Sequence, residues 1–397
     1  MTNCDTTRRT GRLPVIASVD GLLLAAVLGL TAIGAVMVYS ASAVTAQARN
    51  HDQFYFLARQ LVAGGGGLAV MLVVLRLGKE RMERLSYPLL GLTFLSLLLV
   101  LVPGIGHTAG GARRWIDLGV FYFQPSEAAK VALVLYLAHS LAKKRDKVRL
   151  FSIGFLPHLL VTLALAGLCL AERDLGSAVV LVLVLFTLLF AAGARVSTLI
   201  AAALCAIPIG WKLLSGTPYR ARRWEAFLDP FGHRQGAGFQ MVESLLGIGN
   251  GGWLGQGLGE GKGKLFYLPA AHNDFIAAVI AEEAGLLGIM VLLALYAVVV
   301  WRGLRAAFNA SDAFGCYAAL GVTALIGGQA LLNLSVAFGL VPTKGLTLPF
   351  VSYGGSSLIT LLAAAGLLLL VSSGQGGFLR PSAPTRAAAP STAGGAP

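Results

Sequence analysis

Charge is what this chain has least of. Only 12% of its 397 residues are Asp, Glu, Lys or Arg, against 56% that are hydrophobic. A soluble globular domain carries about 25% charged residues, so that class is excluded. Cysteine is sparse too: Cys4, Cys169, Cys205 and Cys316 share no spacing that suggests a disulfide framework or a thiolate metal centre. They read as inert packing residues. Nucleotide signatures fail on inspection. Gly247-Ile-Gly-Asn-Gly-Gly252 matches a dinucleotide fingerprint letter by letter, but no strand-turn-helix unit surrounds it. Gly261-Lys-Gly-Lys264 lacks the glycine five residues earlier that a P-loop needs. No internal repeat supports a transporter of inverted halves.

Long apolar runs are abundant. A span needs about 20 such residues, and ten stretches qualify: 17–40, 54–77, 84–102, 125–142, 152–170, 176–193, 196–214, 272–301, 314–340 and 350–373. The expected fold is an all-α polytopic membrane protein, one domain over 16–373. A short tail, 1–15, precedes it. A Pro-, Ala-, Ser-, Thr- and Gly-rich segment, 374–397, follows and is expected to be disordered. Arg8, Arg9 and Arg12 before an apolar run, with Ala41-Ser-Ala43 after it, imitate a signal peptide. The run Gly21 to Val38 exceeds the usual h-region of about 7–15 residues, so it reads as a first helix.

Placing both termini in the cytoplasm puts 17 of the 31 Lys and Arg on the inner side, mostly in very short loops, as the positive-inside rule requires. The outer loops are then 103–124 and 215–271. Basic residues that defy this pattern gather on the outer side: Arg113, Arg114, Lys130, Arg173, Lys344 and the set Arg220, Arg222, Arg223, Arg234, Lys262 and Lys264. A long loop tolerates positive charge, but Lys130 and Arg173 lie at or near membrane depth. The cluster points to an anionic ligand, and nucleic acid is not expected on that side.

Four polar motifs interrupt the apolar runs. In Phe123-Gln-Pro-Ser-Glu-Ala-Ala-Lys130, Pro125 suits the first turn of a helix and Glu127 its positive end. Glu127 and Lys130 share a face, as a structural pair or as a polar floor for a charged head group. In Glu172-Arg-Asp-Leu-Gly-Ser177, Asp174 suits an N-cap. Asp274, in Ala271-His-Asn-Asp-Phe275, enters an apolar run that also holds Glu282 and Glu283. A charge near the bilayer centre costs at least about 2.5–3.5 kcal/mol, so such residues mark a site or a buried pair. Val341 to Ser357, with two prolines and three glycines, reads as a re-entrant non-helical stretch before the last helix, tolerated only where backbone lines a polar cavity. Glycines near 247–264 are expected to lie flat at the membrane interface, with Trp253, Phe266 and Tyr267 as anchors.

These segments together resemble the SEDS family (shape, elongation, division and sporulation) of peptidoglycan polymerases of the RodA and FtsW type. The resemblance runs from Asp20 and Met37-Val-Tyr-Ser-Ala-Ser42 to Ser357. It rests on Gly111-Ala-Arg-Arg-Trp115, Phe123-Gln-Pro-Ser-Glu127, Phe266-Tyr-Leu-Pro269 and Ser352-Tyr-Gly-Gly-Ser-Ser357. Pro342-Thr-Lys-Gly-Leu-Thr-Leu-Pro349 leans toward the FtsW branch. The resemblance implies a glycosyltransferase that joins lipid II units into glycan strands at the outer face of the bacterial inner membrane, at the division septum. It releases undecaprenyl diphosphate and works with a class B penicillin-binding protein (FtsI-like) and other divisome proteins. The family's essential aspartate falls on Asp274, its Glu and Lys on Glu127 and Lys130, and its Asp-Leu-Gly turn on Asp174. His272, Lys344, Ser352 and Tyr353 are counted with Arg113 and Arg114 among the substrate-binding residues. Arg173 stands where a proline is usual, Gly110 where asparagine is frequent, Asn273 where threonine is common, Glu243 for a frequent glutamine and Asn250 for a serine.

The chemistry agrees. A sugar leaving as a diphosphate needs cations to meet developing charge, a role open to Arg113, Arg114, Lys130 and Lys344. The attacking hydroxyl needs a base, and Asp274 is the choice, its basicity raised by partial burial. One displacement inverts the anomeric centre, so a second catalytic carboxylate is unnecessary. Glu282 and Glu283 lie about 12 Å deeper along the helix and read as packing or coupling residues. No cofactor is required by the step, and a divalent cation (Mg or Mn) bridging the diphosphate stays open. Rival readings are a lipid II flippase, an inactive scaffold, and a RodA-type polymerase of elongation.

Overall fold

The computed structural model describes residues 19–48, 52–109, 112–117, 119, 122–215, 218–236, 238–261, 273–343 and 345–374. In chain order the helices are α1 (Gly21–Ala48), α2 (Tyr55–Leu77), α3 (Lys79–Arg84), α4 (Ser86–Leu101), α5 (Pro125–Lys143), α6 (Leu156–Ala171) and α7 (Leu175–Ala191). Then follow α8 (Val196–Ser215), α9 (Pro218–Leu228), α10 (Phe239–Gly251), α11 (Ile276–Phe308), α12 (Ala313–Ala337) and α13 (Gly355–Ser372). Ten of these coincide with the ten apolar runs: all but α3, α9 and α10. Six are long and apolar enough to cross a membrane by themselves, counting Phe151–Ala171 as one, and three shorter helices are comparably apolar. The tenth, α5, carries Glu127 and Lys130 in its first turns, which is why composition alone undersells it.

Alternation of the spans sorts the loops into two ends. At one end Asp20, before α1, takes the Arg302 guanidinium near the end of α11, Nε to Oδ2 2.6 Å. Lys79 after α2 pairs there with Asp312, which caps α12. The opposite end holds the Asp174 turn, the Asp274 segment and the stretch before α13. All the polar motifs singled out above meet there.

α12 is the central post. It packs against α11, α5, α7 and α13, while α13 in turn lies along α2. Many of the side chains it buries are small or branched (Ala318, Val322, Leu325, Ile326), which lets neighbours approach closely, as helix packing in lipid favours.

Two features depart from a plain helical bundle. The loop between α4 and α5 folds into a small antiparallel sheet of β1 (Gly106–Ala109), β2 (Ala112–Asp117) and β3 (Tyr122–Phe123), in that order. His107 pairs with Trp115 and Asp117 with Tyr122. The second is a break in α11. Gly285 has φ 65° and ψ −162°, so a short inner half, 276–284, meets the long span at an angle. Breaking a helix at membrane depth frees backbone groups, which must be re-satisfied. Residues 252–257 do this: Leu286 N donates to Gly252 O (2.9 Å) and Leu287 N to Trp253 O (3.2 Å). In return Gln256 N and Gly257 N donate to the carbonyls of Glu282 and Glu283. The glycines of this stretch therefore serve close approach to α11; a Cβ on Gly251 would sit 1.9 Å from Ala281 O. Trp253 stays exposed, while Phe266 and Tyr267 lie outside the described residues.

The stretch 338–354 is non-helical in its described residues, and from 346 onward it is largely enclosed by protein. Leu346, Leu348, Phe350 and Val351 are buried. It presses on α1 so tightly that a Cβ at Gly34 would meet Phe350 O at 2.6 Å. From the other side the Tyr296 hydroxyl donates to Pro349 O. This is irregular backbone inside a bundle, with its polar groups satisfied by neighbours.

Candidate active site

The site forms where three irregular segments converge: β2, the turn before α11, and the stretch before α13. Asp274 is partly buried in that turn. Its backbone carbonyl accepts from Asn333 Nδ2 on α12 (2.9 Å), and the same amide nitrogen donates to Leu346 O. The preceding carbonyl, of Asn273, accepts from Ser352 Oγ (2.6 Å), which itself accepts from Leu348 N (2.8 Å). Ser352 thus ties the two loops together. Its hydroxyl is engaged on both sides, so its role here is anchoring.

The Asp274 side chain faces Gly345 across a narrow space. A Cβ on Gly345, whose φ is +68°, would lie 3.6 Å from Asp274 Oδ2 and 3.9 Å from Arg114 Nη1. The carboxylate and the guanidinium therefore flank one point. Burial pushes the Asp274 carboxyl up to about 6, against the opposing pull of Arg223 and then Arg114. A group with that value is ionised at neutral pH and still basic enough to take a proton.

Arg114 is held by backbone. Its Nε donates to Glu172 O (3.2 Å) and its Nη2 to Arg173 O. Arg173 has φ +64°, a value proline cannot reach, in the turn that Arg114 grips. Next to it, Glu172 is buried, and neither carboxylate oxygen has a hydrogen-bond partner among the described residues. Burial, then the Asp174 charge, push its carboxyl up to about 8, with Arg114 pulling the other way.

Asp174 caps α7. Its Oδ1 accepts from Ser177 N (3.0 Å), and its Oδ2 accepts from the hydroxyls of Ser177 (2.8 Å) and Ser126 (3.0 Å). It is buried and fully engaged, joining α7 to the start of α5. Deeper on α5, Lys130 is 1% exposed and donates to Glu127 Oε1 (2.8 Å) and Gln329 Oε1 (3.0 Å). Glu127 and Lys130 are a buried ion pair, with Glu127 Oε2 left without a described partner.

Two expected residues stand apart. Arg113, next to Arg114 on β2, points the other way and donates from Nη1 to Leu101 O (3.1 Å) at the end of α4. Successive strand residues face opposite sides, so only one of the arginine pair reaches the site. Tyr353 leans edge-on against Phe56 of α2, ring centroids 5.2 Å apart. His272 and Lys344 lie outside the described residues. Sequence reasoning missed Gln329 and Asn333, whose signal was present as two amides four residues apart in an apolar run. It also left Arg223 unassigned: from α9 this residue donates to Thr343 O (3.1 Å) and acts on Asp274. Nothing in a long basic loop marked it out. Among the described residues, no group of three or more His, Cys, Asp or Glu converges to hold a metal ion.

Helices long and apolar enough to cross a membrane, a broken span, and a carboxylate near two arginines at one end define a polytopic membrane protein with a partly buried polar site. Residues 21–375 match the model of the cell cycle protein family of FtsW, RodA and SpoVE, and the chain belongs to that family. It is 49% identical over 355 residues to the probable peptidoglycan glycosyltransferase FtsW of Geobacter sulfurreducens, covering 89% of this chain and 95% of that one. It is 39% identical to the stage V sporulation protein E of Bacillus subtilis, covering 89% and 97%. Among solved structures, a chain of a peptidoglycan synthase complex that coordinates polymerization and crosslinking superposes with a TM-score of 0.74 at 34% identity, covering 89% and 97%. The rod shape determining protein RodA of Thermus thermophilus gives 0.68 at 33% identity, covering 90% and 98%.

Proposed function

We propose that this chain is a peptidoglycan glycosyltransferase that polymerises lipid II into glycan strands during cell division. The observation that carries the mechanism is the Asp274 carboxylate, partly buried, basic near neutrality and flanked by Arg114 and Arg223. In the transfer, the acceptor sugar's hydroxyl oxygen bonds to the anomeric carbon of the donor. The bond from that carbon to the diphosphate oxygen breaks, and its electron pair leaves with undecaprenyl diphosphate. The hydroxyl proton passes to Asp274. Arg114 and Arg223, with Lys344, meet the charge that grows on the diphosphate. The buried Glu127–Lys130 pair forms the floor, and Asp174 fixes the turn that presents Arg114.

The positive-inside rule supports cytoplasmic termini and a site on the outer face of the cytoplasmic membrane, and the division role assigns it to the septum. The partner is a class B penicillin-binding protein, which crosslinks the product, together with other divisome proteins. The FtsW-named relatives at 46–49% identity support the division role, and the synthase complex that coordinates polymerization and crosslinking supports the crosslinking partner. The displacement needs no resident cofactor; a divalent cation, Mg or Mn, would travel with the diphosphate.

Purified chain with its partner and lipid II provides the test. Wild type forms glycan polymer, with kcat/KM rising as pH passes about 6, where Asp274 loses its proton. Asp274→Ala forms none. Polymer from Asp274→Ala would remove the base assignment. Movement of labelled lipid II between leaflets without any polymer from wild type would point to a flippase instead.

A further inference from the structure

The base-and-cation account leaves α12 idle, yet α12 carries the side chains that hold the site together. Gln329 and Asn333 sit one turn apart on it, both buried. The partners of Gln329 fix which way its amide faces. An ammonium only donates and a backbone carbonyl only accepts. Its Oε1 therefore takes Lys130 Nζ at 3.0 Å, and its Nε2 donates to Thr347 O at 3.0 Å. Asn333 uses one nitrogen for two carbonyls, those of Asp274 and Leu346. A single turn of α12 thus reaches the buried cation on α5, the backbone of the base itself, and the carbonyls of Leu346 and Thr347 just after Gly345.

Amides between membrane helices often act as packing glue, at about 0.6 kcal/mol each. Here the donors do not serve helix packing. Every bond from Asn333 Nδ2 and Gln329 Nε2 ends on the irregular segments, at the carbonyls of Asp274, Leu346 and Thr347 and at the Thr347 hydroxyl (3.3 Å). Burying an amide is costly unless it is paired, and these pairings fall on the two loops that frame Asp274.

We propose that Gln329 and Asn333 are positioning residues of the sugar transfer, which lock the Asp274 turn, the Gly345 loop and Lys130 into one frame. The inference rests on Asp274 being the base. Gln329→Glu is near-isosteric and keeps an oxygen on Lys130, but sets a second acceptor against Thr347 O. Asn333→Ala leaves the carbonyls of Asp274 and Leu346 without their donor. Full-length protein, co-purified with a class B penicillin-binding protein from the same organism, would be assayed for polymerisation of lipid II.

The expected result is a fall in kcat of about ten- to a hundredfold for both variants, the scale of a small misplacement of reacting groups. KM for lipid II should stay within about twofold, because the binding contacts remain. Thermal midpoint and monodispersity in detergent should stay close to wild type for Gln329→Glu, so this variant decides the matter even where Asn333→Ala folds poorly. Wild-type kcat for Gln329→Glu, or a loss that merely tracks the folded fraction, would overturn the proposal. Asp274→Ala runs beside them as the control. An active Asp274→Ala refutes the base reading beneath the proposal, whereas an inactive one beside a fully active Gln329→Glu refutes the positioning role alone.

Discussion

Asp274 and Glu172 are both raised by burial, and what separates them is the cations that answer. Asp274 has two arginines within electrostatic reach and settles near 6; Glu172 has Arg114 opposed by Asp174 and settles near 8. The second value has a consequence for stability. Glu172 in the folded state binds its proton more tightly than in the unfolded chain, where a carboxyl titrates at about 4.3. Its contribution is neutral below that value and becomes progressively unfavourable to the folded state as pH climbs toward 8. Glu172→Gln, which is uncharged throughout, is therefore expected to raise the thermal midpoint, and by more at pH 8 than at pH 5. Equal gains at both pH values in a detergent melt would show that Glu172 is not the titrating group. Residue identity alone gave no hint of this. The sequence shows Glu172 beside Arg173, but that the carboxylate turns inward and away from hydrogen-bond donors is a property of the folded turn.

At the scale of elements, the ten apolar helices were legible because lipid leaves the backbone few choices. Their ends were less so. α1 runs to Ala48 where hydropathy suggested residue 40, because its last turns stay buried against neighbours that a one-dimensional profile cannot register. The sheet β1–β3 was read as a loop, since its strands are two to six residues long and carry no sustained alternation. The break in α11 was also hidden. Gly285 sits in an unbroken apolar run, and only the arrival of 252–257 makes its dihedral angles useful. A Cβ there would lie 2.3 Å from Gly255 N, in a conformation open to glycine alone. Gly285→Ala is expected to cost on the order of 1–3 kcal/mol and to lower polymerisation with it. An unchanged melting midpoint and unchanged turnover would mean that the helix runs straight in the membrane.

For the whole molecule, charge did more than hydropathy. The count of basic residues predicted that the polar motifs share one end, and the ion pairs Asp20–Arg302 and Lys79–Asp312 do gather at the opposite one. It could not say which arginine of a pair would face the site; the pleat of β2 decides that for Arg114 over Arg113. Orientation in the membrane is open to direct measurement. Single cysteines placed at the exposed residues 309 and 258, in a background free of native cysteine, should react with an impermeant maleimide from opposite sides of the cell membrane. Residue 258 should be labelled from outside. The reverse pattern would move the site to the cytoplasm and remove lipid II polymerisation on the outer face as its function.

The patch on the α11 break also defines a leash. Gly257 is fastened to Glu283 O, and the Asn273 carbonyl to Ser352, so both flanks of 258–272 are tied to the bundle. Closing a longer loop costs little, about 0.6 kcal/mol for each doubling. Extra residues inserted between those two ties are therefore expected to cost the bundle little, while changing the chain directly before the base.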